Sequence, residues 1–188
     1  MVFELRPGPD GWKETVLYNF PLPSGACCPY AGVIMDGLGN LYGTAGDPFE
    51  LSPGSDGWKV TDLHHSACND NDGCEPFAGL IMDASGNLYG TTEHGGGRCG
   101  TVYQLTPTFD GKWQEHILHR FQARRDGAFP GVGALVLDRV GNVYGTTTSG
   151  TIFELTPGSG GRWTFTVLYT VTGGSDGTEP GAGLERAW

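Results

Sequence analysis

Two short stretches of this chain hold residue types that do proton-transfer and metal chemistry. One is His64-His65 with Asn69, Asp70, Asn71, Asp72 and Glu75 behind it; the other is Glu93-His94 in a glycine-rich run, EHGGGRCG. An adjacent carboxylate and imidazole can act as base and proton shuttle on a lactone, ester or glycoside. Glu93, His94 and His64 are therefore the candidate catalytic residues, with a metal ion polarising the carbonyl under attack. Asn69, Asp70, Asp72 and Glu75 are the densest oxygen donors, and calcium takes about six to eight oxygen ligands. They are the candidate metal ligands, and Ca2+ the cofactor. Their spacing is not that of an EF-hand loop. The alternative is a hydrated loop closed by a Cys68–Cys74 disulfide, with Glu93-His94 a solvated surface pair. No GxSxG elbow and no serine triad is recognisable.

Three further positions carry polar groups in register. Asp36, Asp83 and Asp138 share one repeat position, and Asn40, Asn87 and Asn142 another. Turn chemistry explains them, with Asp capping and Asn supplying a left-handed residue; the rival is a cation held where the copies converge. Tyr18, His64, His119 and Tyr169 each stand six residues after a Trp. Packing between neighbouring units accounts for such a position. Asp72, Asp126 and Asp176 each precede a Gly three residues before a Pro, so Asp72 belongs partly to turn grammar. Glu93-His94 has no equivalent in the other copies, which is where function would be grafted, and its glycines suggest a mobile loop over one face.

The elements that must position these residues are repeated. AGVIMDGLGNLYGT begins at Ala31, AGLIMDASGNLYGTT at Ala78 and GALVLDRVGNVYGTT at Gly133. Two apolar runs joined by Gly-Asn signal a β-hairpin. A second signature, FELRPG, FELSPG, YQLTPT or FELTPG, begins at Phe3, Phe49, Tyr103 and Phe153. A Trp comes after each beyond a turn, at positions 12, 58, 113 and 163, and opens an alternating run. One repeat is thus roughly 50 residues of four short strands, the period and strand count of propeller blades.

The expected fold is all-β: a β-propeller of four-stranded antiparallel blades, about four per chain. It forms a single domain over 1–188, with repeats near 1–44, 45–92, 93–147 and an incomplete 148–188. With AGL innermost and the Trp-led strand outermost, the chain reads as two outer strands, three full blades and one inner strand. The AGL strand beginning at Ala182 closes the ring on the chain's own first strands, or a second copy shares a larger ring as a homodimer. A third option is a chain cut short, because Glu185 to Trp188 break the pattern.

Among 188 residues, 33 are Gly and 12 are Pro, spaced as turn punctuation rather than disorder. The net charge is −10 with no basic cluster, only Arg124-Arg125, which argues against nucleic acid and anionic membranes as partners. No apolar run is long enough to span a bilayer. Five cysteines with no CxxC and no ordered Cys/His spacing argue against zinc, and the odd count leaves at least one thiol free or paired between chains. Met1 stands two residues before the first FEL motif, leaving no room for a signal peptide. The expectation is a mature exported domain, extracellular or periplasmic, or part of a longer product.

The paired signatures FELTPGxxGxW and AGLIMDxxGNLYGTT resemble the choice-of-anchor tandem-repeat family called GloVer-containing, over essentially the whole chain to Leu184. The resemblance implies a secreted bacterial repeat protein and supplies no catalytic motif. LIMDxxGNLYGTT also looks like the inner hairpin of NHL and gluconolactonase-type propellers, a likeness of fold alone. Two functions are expected. One is a calcium-supported, lactonase-like hydrolase of a lactone, ester or glycoside in the ring's channel or on its loop face. The other is a non-catalytic carbohydrate- or protein-binding module. The partner in either case is a small molecule or carbohydrate.

Overall fold

A computed structural model describes residues 1–21, 29–131, 133–180 and 183–185. Cys27, Cys28 and Ala182 lie outside the described residues. The chain is all-β, with five small antiparallel sheets and no α-helix among the described residues; one 3-10 turn spans Ser159–Gly161. The Gly/Pro punctuation keeps every apolar run too short for a helix and long enough for a strand.

The hairpin and the FEL and Trp signatures join into one sheet, three times over. β1 (Val2–Gly8) and β2 (Gly11–Tyr18) form a two-stranded sheet. β3 (Ile34–Met35), β4 (Leu41–Ala45), β5 (Asp47–Gly54) and β6 (Gly57–Asp62) then pair in that order. β7 (Gly73–Cys74) leads to β8 (Ile81–Met82), β9 (Leu88–Thr92) and β10 (His94–Gly95). β11 (Thr101–Pro107) and β12 (Trp113–Arg120) complete the second four-stranded sheet, β8-β9-β11-β12. The third is β13 (Val136–Leu137), β14 (Val143–Thr146), β15 (Thr151–Pro157) and β16 (Trp163–Thr170). β7 and β10 make a small sheet of their own.

Each sheet packs on the next in chain order. One core joins Val2 to Leu41, Phe49 and Leu51; a second joins Tyr42 and Leu63 to Leu88, Tyr103 and Leu105; a third joins Tyr89, Val102 and Phe121 to Val143, Phe153 and Leu155. The same edge-to-face contact recurs between sheets: Tyr42 on Trp113 and Tyr89 on Trp163, both with centroids 6.0 Å apart. The Gly of the LYGT motif is explained by this packing. At Gly90 a Cβ would lie 2.6 Å from Tyr103 Cζ and 2.9 Å from Leu80 Cδ2, so only Gly lets the aromatic of the FEL or YQL strand lie flat on the hairpin.

The hairpin turn differs from the two-residue Gly-Asn turn expected. In the second copy the Asp83 amide bonds the Asn87 carbonyl (3.0 Å) and the Gly86 amide bonds the Asp83 carbonyl (3.1 Å), closing a longer loop. Gly86, at φ +83°, is the left-handed residue in place of Asn87. Asn87 instead donates its side-chain amide to Asp83 Oδ2 (2.8 Å), and Tyr89 donates its hydroxyl to the same oxygen (2.9 Å). Asp83 Oδ1 accepts the Ser85 and Asn87 amides at 2.8 and 2.9 Å. Asp36 and Asp138 repeat this arrangement, so all three carboxylates are engaged within their own turns.

The Ala-Gly segments that open the hairpins converge. A Cβ on Gly79 would meet the Ala31 Cβ at 3.6 Å, the Gly32 carbonyl at 3.8 Å and the Ala134 Cβ at 3.9 Å. Gly183 lies against the Ala134 backbone. Small residues suit this meeting point: the contacts at Gly79 are ordinary van der Waals ones, and the tighter one is at Gly183, where a Cβ would lie 3.1 Å from the Ala134 carbonyl oxygen.

Candidate functional site

The ends of three of the four Trp-led strands carry a repeated cap. His119 Nε2 lies 2.8 Å from Asp126 Oδ2, and the Tyr169 hydroxyl donates to Asp176 Oδ2 at 2.8 Å. The amide three residues further on, Gln122 or Thr172, donates to the same Asp at 2.7 or 2.9 Å. His64 and Asp72 obey this rule, with Nε2 at 3.3 and 3.2 Å from the two carboxylate oxygens and the Ala67 amide at 2.7 Å. The His/Tyr position and the Asp-before-Gly position, two separate marks in the sequence, are thus one hydrogen-bonded unit.

Across the sheet boundary, the residue at this strand position meets a different neighbour each time a further sheet follows it. The strand residue two after the Trp pairs with the Leu of the preceding strand: Leu51 with Val60, Leu105 with Glu115 and Leu155 with Phe165. Val60 packs in the core that holds Tyr18, and Phe165 stacks on His119 with centroids 3.7 Å apart. Glu115 instead brings Oε2 to 3.5 Å from His64 Nε2. His64, Asp72 and Glu115 are 25 %, 13 % and 13 % exposed. Burial pushes the Glu115 carboxyl up to about 7; His64 opposes that, and the neighbouring Asp72 carboxylate adds to it.

A second cluster forms where the chain leaves β9. The EHGGG insertion is pinned rather than loose. β10 pairs with β7, the Glu93 amide bonds the Glu75 carbonyl (3.1 Å), and the Gly96 amide bonds the Asn69 and Asp72 carbonyls (both 3.0 Å). This pairing brings His94 Nδ1 to 2.9 Å from Glu75 Oε2, and both side chains are about half exposed. Glu93 joins them, with the ligand atoms of all three within 4.8 Å of one another. The His94 ring lies 5.4 Å from Phe129.

Glu93 also lines a cleft of about 460 Å³ with Tyr30, Phe77 and Gly131. Tyr30 and Phe77 each immediately precede an Ala-Gly segment, so the cleft opens at the face where the hairpins begin. Their rings meet edge to face, 5.0 Å apart at 78°. Gly131 faces Glu93 closely, as a Cβ there would lie 2.8 Å from the Glu93 Cβ. Glu93 occupies the position held by Gly46 and Thr148 in the other copies.

The candidate residues therefore divide. Glu93 and His94 come together, with Glu75, and His64 stands in the other cluster with Asp72. The four candidate calcium ligands do not gather. Asp72 faces His64, Glu75 faces His94, and Asn69 Oδ1 accepts the Asn71 amide (2.8 Å). Asp70 is exposed and its carbonyl accepts from the Arg120 guanidinium (3.2 Å). Cys68 and Cys74 are free thiols in hydrogen-bond contact rather than a disulfide, and Cys99 is free as well. Burial, and after it that contact, pushes the Cys74 thiol up to about 12. Sequence reasoning misses Tyr30, Phe77 and Glu115. The signal for the first two is an aromatic before Ala-Gly in two copies; for Glu115 it is a carboxylate where the flanking sheets carry Val60 and Phe165.

Fold and clusters together define an all-β tandem-repeat protein whose distinctive side chains sit on loops and sheet boundaries rather than in the strand cores. A family model described as the Gloeobacter/Verrucomicrobia repeat matches residues 1–187, and the chain belongs to that repeat family. No curated protein and no solved structure matches it.

Proposed function

We propose that this chain is a propeller-type scaffold that binds a carbohydrate in the cleft of Tyr30, Phe77 and Glu93. In this reading the sheets are successive blades around the point where the Ala-Gly segments meet, within one domain of four repeats. The convergence of segments from the other copies near Gly79 supports such an axis. The observation that carries the function is the cleft itself. Aromatic faces pack against the apolar faces of sugar rings, and a carboxylate accepts their hydroxyls. A net charge of −10 fits a neutral ligand better than a polyanion. An extracellular or periplasmic setting goes with it.

Calorimetry of the whole chain against a panel of neutral oligosaccharides tests the reading. Phe77→Ala and Glu93→Gln are each expected to weaken the best ligand by about tenfold or more. Equal affinity in Phe77→Ala, or no binding by the parent chain, overturns it.

The second reading is the hydrolase, favoured by one geometric fact: Glu75, Glu93 and His94 meet within 4.8 Å. Glu93 would act as base, His94 as the shuttle oriented by Glu75, and the two carboxylates would be the oxygen donors for calcium. Chelator-sensitive turnover of a chromogenic lactone or glycoside would move the assignment to it.

A further inference from the structure

We propose that His64, Asp72 and Glu115 form a site for a tetrahedral first-row divalent cation such as Zn2+, set between two neighbouring sheets. Three kinds of observation lead there. The first is distance. Ligands about 2.0–2.1 Å from a tetrahedral ion stand about 3.3 Å from one another. His64 Nε2 lies 3.2 Å from Asp72 Oδ2 and 3.5 Å from Glu115 Oε2, and all three ligand atoms fall within 4.8 Å. The two separations from His64 are thus already within a few tenths of an ångström of the tetrahedral value. Three protein ligands leave a fourth position for water or a further ligand.

The second is that one member is extra. The His/Tyr-to-Asp contact caps a loop in three copies and needs no ion. At the boundary facing His119 the neighbouring sheet supplies Phe165, which completes an apolar contact. At the boundary facing His64 it supplies Glu115, which adds a second carboxylate to a half-buried pair. Apolar packing does not call for a carboxylate there: burying one costs free energy unless it is paired, and the His64 imidazole it faces is already shared with Asp72.

The third is charge and support. The nearby guanidinium, Arg120, directs its N–H groups to the carbonyls of Asp70 and Asn71, at 3.2 and 2.9 Å, rather than to either carboxylate. The Ala67 amide holds Asp72 in place from outside the cluster, the kind of support that orients metal ligands. One imidazole with two carboxylates suits zinc better than calcium, which takes oxygen ligands throughout. The ion would join the loop after β6 to β12 and so fasten two sheets together.

The test is zinc titration of the metal-free full chain by calorimetry, with thermal unfolding read in parallel. The expected result is one zinc per chain at this site and a rise in the unfolding midpoint on adding zinc. Glu115→Val places there the residue that Val60 provides in the preceding sheet, so it keeps the fold. It and His64→Ala should each weaken this zinc by about tenfold or more and remove the midpoint rise. His94→Ala, in the other cluster, should leave both unchanged. Zinc binding that survives Glu115→Val, or vanishes only with His94→Ala, overturns the assignment. So does a parent chain that binds no zinc at about 1 mM, a standard free energy of only about −4 kcal/mol.

Discussion

At the scale of single residues, the repeats act as internal controls, because one position can be read in several surroundings. His119 is the clearest case. It is 18 % exposed, stacked on Phe165 and edge-on to Phe121 at 4.8 Å. Burial lowers its pKa below the ordinary 6.5 by more than Asp126 raises it. A depressed histidine contributes stability that is complete above 6.5 and is lost as pH falls through the folded value. His119→Tyr installs the residue of Tyr18 and Tyr169, whose hydroxyl can take the Asp126 oxygen as Tyr169 takes Asp176. We expect the variant to match the parent near pH 7.5 and to lose less stability between about pH 6.5 and 5. Urea unfolding at a series of pH values checks this, and parallel profiles would refute it. Tyr103 makes the opposite comparison. It is 1 % exposed, and its hydroxyl has no hydrogen-bond partner among the described residues, where Phe49 and Phe153 have no hydroxyl to satisfy. Tyr103→Phe is expected to be neutral or stabilising by about 1 kcal/mol, since the removed group carries a desolvation cost and returns no bond. A loss of more than about 1 kcal/mol in denaturant unfolding would reveal a partner for that hydroxyl.

At the scale of elements, the sheet unit is legible in the sequence because its signals are local. Alternation, Gly/Pro spacing and a Trp nine or ten residues after the aromatic of the FEL signature mark β11 and β12 as plainly as they mark β5 and β6, and the register Pro107 to Trp113 repeats Pro53 to Trp58. Turn detail is less legible. Asn87 is a natural choice for the left-handed residue because Asn tolerates that conformation, but Gly86 beside it adopts it without a Cβ penalty and frees Asn87 to bond Asp83. Least legible is β7 on β10. Two-residue strands about twenty residues apart have no periodicity to betray them, yet this pairing alone brings Glu75 to His94. The same limit hides Glu115. His64 and Glu115 lie on consecutive repeats, and only the stacking of one sheet on the next makes them neighbours. The sequence shows which residues depart from the repeat; it does not show which departures meet.

At the scale of the whole molecule, one consequence of stacking dominates: a position whose sheet packs on a preceding one is covered, and among the described residues a position in the first sheet is not. The FEL residues show this with identical chemistry. Leu51, Leu105 and Leu155 are fully buried, whereas Leu5 is 52 % exposed; Phe49 and Phe153 are buried, whereas Phe3 is 49 % exposed. Among the described residues, β1 has β2 on one edge and no counterpart of the hairpin partner that β4 gives β5. Trp12, at 72 % exposed, has among the described residues no counterpart of the Tyr that Trp113 and Trp163 each find on the sheet before them. Stability should therefore be graded along the array. Leu51→Ala removes side-chain volume from a closed core and is expected to cost about 3 kcal/mol. Leu5→Ala, the same change at the equivalent position, should cost less than about 1 kcal/mol, because water already reaches that side chain. Denaturant unfolding of the two variants at low protein concentration makes the comparison. If the ring closes on its own first strands, or a second copy covers them as in the homodimer expected from sequence, Leu5→Ala approaches the Leu51 value. In the second case the cost also grows with protein concentration, because covering β1 then becomes a mass-action term. The ratio of the two losses thus reports whether the face of Phe3, Leu5 and Trp12 stands open in solution.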